Sequence, residues 1–113
     1  MDKKLSKKIA EFEPQDGNWL ILEDLLQQAL SSSDCQAYYS AIFKLFEHYP
    51  EEDGAGVFWT ALHGMEDTGG YEKKLLESFR RIPSEMAETM LFRLRNSGQK
   101  YVSGVPIESL IED

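Results

Sequence analysis

Apolar residues in this chain recur every three to four positions almost throughout, a spacing that leaves helices packed on helices as the way to bury them. Leu5, Ile9 and Phe12 open the pattern and predict a first helix over about residues 2–12, stopped at Glu13-Pro14 because proline disfavours the helical region for its predecessor. A second helix starts at Asn18, a good cap. It places Trp19, Leu22, Leu25, Leu26, Ala29 and Leu30 on one face and Glu23, Asp24, Gln27 and Gln28 on the other, up to the serines at 31–33. Ser33-Asp34-Cys35-Gln36 reads as a capping box opening a third helix, whose stripe of Cys35, Tyr38, Tyr39, Ile42, Leu45, Phe46 and Tyr49 ends at Pro50.

Glu51-Glu52-Asp53 is expected to open a fourth helix, where carboxylates complement the exposed N–H groups. Val57, Phe58, Ala61, Leu62 and Met65 form its inner face, Gly64 sits near its end, and Glu66-Asp67-Thr68 with Gly69-Gly70 reverses the chain. A fifth helix follows over about 70–81 with Tyr71, Leu75 and Phe79. Pro83 is expected as the first residue of a sixth, which buries Ala87, Met90, Leu91 and Leu94 and closes at Gly98. Residues 99–104 are ambiguous. A last short helix after Pro106 uses Ile107, Leu110 and Ile111.

Short connections force neighbouring helices to run antiparallel. Helices two, four and six start near residues 18, 53 and 84, a spacing that resembles an α-solenoid period although the repeats barely match in sequence. The expected fold is therefore all-α: stacked antiparallel helical hairpins in a HEAT-like right-handed stack of about seven helices, one domain over residues 1–113. A closed four-helix bundle is the alternative.

Charge narrows the function. The net value of −8 is uneven: residues 1–10 carry +3, residues 11–72 carry −12, residues 73–100 carry +4 and the last thirteen carry −3. An acidic block repels phosphate backbones and anionic lipid and favours basic partners. The N-terminal lysines are followed by no apolar stretch of the kind that marks an export signal, and no apolar run approaches the ~20 residues of a membrane span. A lone cysteine, Cys35, lies in the apolar pattern and suits a reducing compartment, so the expected location is the cytoplasm.

Catalytic and metal-binding patterns are absent from the sequence. His48 and His63 lie at no metal-ligand spacing from each other or from Cys35, and both are expected at helix ends. Gly54-Ala55-Gly56 lacks the lysine and hydroxyl of a phosphate loop. The paired acids fit helix termini without an apolar pocket to raise a carboxyl pKa. The expectation is no enzyme, no metal, no cofactor, no small-molecule substrate and no direct nucleic-acid contact.

The segment Gly56-Val57-Phe58-Trp59-Thr60-Ala61-Leu62-His63-Gly64-Met65-Glu66 resembles small bacterial immunity proteins encoded beside polymorphic or contact-dependent-inhibition toxins. The similarity continues through Gly70-Tyr71-Glu72, through residues 80–85 and through residues 91–98, covering roughly residues 17–111. It implies a cytosolic inhibitor that binds a cognate toxin C-terminal domain, often a basic nuclease, as a monomer in a 1:1 complex and occludes its active site. Interface residues do not transfer from the family. Charge and helix-end position select Asp16, Glu23, Asp24, Glu51, Glu52, Asp53, Glu66, Asp67 and Glu72. The alternatives are a helical-repeat adaptor for a non-toxin basic partner and a small helical accessory subunit of an enzyme.

Overall fold

A computed structural model describes residues 1–111. Six α-helices follow one another: α1 (Lys3–Ala10), α2 (Leu20–Leu30), α3 (Tyr39–His48), α4 (Val57–Thr68), α5 (Glu72–Arg81) and α6 (Glu85–Asn96). The remaining regular structure among the described residues is a small antiparallel hairpin, β1 (Tyr101–Val102) and β2 (Val105–Pro106), with 3-10 turns at Cys35–Tyr38 and Ile107–Ser109.

Successive helices reverse direction, so α1, α3 and α5 finish at the end of the molecule where α2, α4 and α6 begin. Contacts between connections fix this. At one end, the Tyr49 hydroxyl donates to the Phe12 carbonyl at 2.8 Å and the Glu85 N–H donates to the Pro50 carbonyl at 2.7 Å. At the other, the Tyr39 hydroxyl donates to the Gly69 carbonyl at 2.9 Å. Helix α1 packs on α3 and α3 on α5; α2 packs on α4, and α6 touches both α3 and α4.

One continuous core unites these layers, with Ile9, Leu22, Leu26, Tyr39, Ile42, Leu45, Phe46, Phe58, Leu62, Met65, Leu75 and Met90 fully buried. Each such side chain contributes roughly 1.5–3 kcal/mol. The surface ion pairs contribute ~0–1 kcal/mol each, so burial decides the fold. Gly64 is a packing residue: a Cβ there would stand 2.6 Å from Leu30 Cδ1, so its absence lets α2 and α4 approach.

Several local expectations are corrected. Residues 51–53 do not open α4, because Gly54, Ala55 and Gly56 take φ of 62°, 55° and 91°, left-handed values that no α-helix accommodates. The chain instead wraps around the rings of Phe58 and Trp19, and α4 starts four residues after Asp53. At its other end, Glu66, Asp67 and Thr68 remain helical, and Gly69 at φ 81° ends α4; His63 and Gly64 are therefore interior to the helix. His48 does close α3.

Nor does the capping box form. Gln36 reaches across to the Gly69 carbonyl, 3.2 Å away, and a 3-10 turn occupies Cys35–Tyr38 before α3 starts at Tyr39. Pro83 lies before α6 rather than as its first residue: Ser84 is the cap, its Oγ accepting from the Ala87 N–H at 3.1 Å, and the helix starts at Glu85. The ambiguous stretch is the β1–β2 hairpin, with Ser103 and Gly104 at φ 46° and 83°, as a two-residue hairpin turn demands. The seventh helix reduces to the 3-10 turn at Ile107–Ser109, leaving six α-helices among the described residues.

Candidate protein-binding face

The end where α1 finishes and α2 begins rests on an aromatic platform. Trp19 stands edge-on to Tyr49 and to Phe58, with ring centroids 5.2 and 5.4 Å apart, and lies 5.8 Å from Phe12. Local chemistry contributes: α2 starts at Leu20 with Trp19 at its cap position, two residues later than Asn18, whose Oδ1 accepts from the Leu20 N–H at 2.9 Å in a turn just before the helix, and Trp19 lies inward at 8% exposure. Gly54 passes so close to Phe58 that a Cβ would meet its ring at 2.8 Å. The two connections bearing Asp16 and residues 51–53 are thus clamped to a shared set of rings.

Asp16, Glu51, Glu52 and Asp53 are exposed on this platform, and none enters an ion pair or side-chain hydrogen bond among the described residues. Two further carboxylates join them that sequence reading did not select. Glu13 lies close enough to Tyr49 that its charge, after burial, helps hold the phenol above its ordinary range. Glu85 is brought in by the bond from its N–H to Pro50. Proximity of residues 13, 50 and 85 is a tertiary fact with no local signal.

Helix α2 adds an apolar element. Leu20 and Ile21 are 72% and 55% exposed in its first turn. The run Trp19-Leu20-Ile21-Leu22 held the signal, because a helix that buries Trp19, Leu22 and Leu26 turns the residues between them outward. Asp24 follows Leu20 by one turn and is exposed. Glu23 points toward α4 instead: its Oε1 accepts from the Thr60 hydroxyl at 2.8 Å, and its Oε2 is buried without a hydrogen-bond partner.

The remaining selected acids stand elsewhere. Glu66 lies nine residues into α4, about 14 Å along its axis from the helix start. Arg93 neutralises it through two hydrogen bonds of 2.8 and 2.9 Å, and the same arginine lies 5.9 Å over the Trp59 ring. Glu72 accepts from Gln99 at 3.0 Å. Asp67 is exposed at the far end of α4. The nine residues therefore do not share one surface: Asp16, Glu51, Glu52 and Asp53 gather, Asp24 flanks them, and Glu66, Asp67 and Glu72 lie at the opposite end.

His63 sits on the exposed side of α4, its Nδ1 3.7 Å from Glu66 Oε1, with its ring against Trp59. Cys35 is buried and its thiol faces Thr68 Oγ1 at 3.5 Å, a packing position. Among the described residues, no group of three or more His, Cys, Asp or Glu side chains could hold a metal ion, and no helix is long and apolar enough to cross a membrane.

No family model matches the chain, and neither the curated proteins nor the solved structures contain a match to it.

Proposed function

We propose that this protein binds and neutralises a basic partner protein, and that the partner is the toxin domain of a bacterial toxin and immunity pair, bound in the cytoplasm as a 1:1 complex. The observation that carries the reading is the exposed pair Leu20 and Ile21 on the first turn of α2, beside unneutralised carboxylates from two chain connections. An apolar centre within a charged rim is the composition of protein interfaces, where burial supplies affinity and complementary charge supplies rate and orientation. Asp16, Asp24, Glu51, Glu52 and Asp53 form the rim, joined by Glu13 and Glu85. Glu23, Glu66, Asp67 and Glu72 make no part of it.

Blockade is steric and electrostatic. The carboxylates occupy the cations with which a nuclease would hold its phosphate substrate, and Leu20 and Ile21 exclude water at the centre. The alternating helices, in this reading a HEAT-like stack, serve as a rigid support that presents the loop end with little reorganisation on binding.

Co-expression with the toxin domain encoded next to the gene tests the proposal. Growth rescue by the native chain, lost when Leu20→Asp/Ile21→Asp is combined with Glu51→Lys/Glu52→Lys/Asp53→Lys, is the expected result. Rescue by that combined variant, or absence of any toxin domain that binds the native chain, would overturn it.

A further inference from the structure

A groove of about 660 Å³ runs along α1 and α3 and reaches the ends of α1, α3 and α5 at Glu11, His48 and Ile82, with neither Leu20 nor Ile21 in its lining. Small side chains make its floor: Ser6 and Ala10 from α1, Ala41 from α3. Lysines stand on both banks, Lys3 and Lys7 on one side and Lys44 on the other, and none of the three is held by an ion pair or side-chain hydrogen bond among the described residues.

The neighbouring acids do not cancel this charge. Glu47 borders the groove, but both its oxygens are engaged, by Arg81 at 2.9 and 3.1 Å and by the Ser78 hydroxyl at 2.7 Å. Those bonds outweigh the cost of burial and hold its carboxyl below the usual glutamate range. Glu11 is the remaining acid, against three lysines and the ring of His48. Apolar side chains are exposed along the groove as well, Met1 at 54% and Ile82 at 40%.

We propose that this groove docks an acidic amphipathic helix of a partner protein, with its apolar side chains on the Ser6, Ala10 and Ala41 floor and its carboxylates against Lys3, Lys7 and Lys44. Helix α3 offers ten residues of bank, about 15 Å, the length of three turns of a bound helix. Charge complementarity identifies the occupant. A nucleic acid would gain from the lysines but nothing from Ala10, Ala41, Met1 and Ile82, and its phosphates would meet Glu11. A bilayer is too flat to reach the floor. The proposal is independent of the basic partner assigned to the loop end, since it uses none of the same side chains.

The experiment titrates the 15N-labelled native chain with a fluorescein-labelled 14-residue peptide carrying leucine at helical spacing and glutamate elsewhere. Shift changes concentrated on the groove residues of α1 and α3 are expected. Affinity should fall at least tenfold in Lys7→Glu/Lys44→Glu, whose side chains are exposed and leave the core intact, and at least tenfold for polyglutamate of equal length. Ser40→Trp, which fills the groove from an exposed position, should also abolish binding. Equal binding by the lysine variant, equal binding by polyglutamate, or tighter binding of single-stranded DNA or phosphatidylserine vesicles at the same residues would each overturn the assignment.

Discussion

The rings of Trp19 and Tyr49 meet edge-on, their centroids 5.2 Å apart and their planes at 84°. That contact ties the segment joining α1 to α2 onto the segment joining α3 to α4, so Asp16 and residues 51–53 share one support. Trp19→Ala removes the support and should cost about 3–5 kcal/mol, as large aromatic truncations in cores do. Urea denaturation measures it. A loss below about 1 kcal/mol would mean that the two connections are held independently.

Leu20 and Ile21 offer the converse experiment, since they contribute almost nothing to the core. Exchanging either for aspartate should leave stability within about 0.5 kcal/mol, because neither side chain is packed. Calorimetric titration with the basic partner should nevertheless show affinity reduced tenfold or more. A partner bound equally well by both variants would place the interface elsewhere.

The two acidic ends of α4 should behave differently in association kinetics. Glu66 is already paired with Arg93, so Glu66→Gln should change the association rate less than about twofold. Glu51→Lys/Glu52→Lys/Asp53→Lys should slow association tenfold or more in low salt and flatten its salt dependence. Stopped-flow measurement at two ionic strengths separates the outcomes, and equal effects at both ends would contradict the single-face reading.

Glu47 links α3 to α5 through Arg81 and Ser78, and its side chain is 10% exposed. Burial alone would raise its pKa, but the hydrogen bonds from Arg81 and Ser78 and the Arg81 charge bring it below the ordinary value of 4.5. A lowered carboxyl pKa gives stability that is present above the unfolded value and disappears as pH falls through the folded one. Glu47→Gln should therefore cost about 1–2 kcal/mol near pH 7 and progressively less below about pH 4.5. Denaturation across that range provides the check; a cost that stays constant into acid would rule out ionisation as its source.

At Gly64 two effects oppose each other. Alanine raises helix propensity by about 1 kcal/mol, but its Cβ would lie 2.6 Å from Leu30 Cδ1. Overpacking costs about 1–3 kcal/mol, so Gly64→Ala should destabilise the native chain. With Leu30→Ala already in place the clash is gone, and the same substitution should stabilise. Thermal melts of the four combinations decide this, and an unchanged sign would remove the close approach as the role of Gly64.

Helical periodicity alone determined the helical class, the inward faces and most of the core, because burying a stripe that repeats every 3.6 residues is a local requirement. Leu22, Leu26, Ile42, Phe46, Phe58, Leu62, Leu75 and Met90 are inside, as their spacing demanded. The candidate face was legible only in part. Carboxylate placement predicts a helix start at residues 51–53, yet the chain passes through three left-handed residues just after them, and Gly54 lies against Phe58 and Trp19 too closely for a Cβ. Helix-end position alone offers Glu66 as an available carboxylate, but α6 places Arg93 beside it, 27 residues later in the chain. Glu13 and Glu85 join the loop end only because chain reversals carry residues 13, 50 and 85 together. Spacing along a chain reports which side of an element faces inward; which charges cancel and which gather depends on contacts between distant segments, and those exist only once the core has assembled.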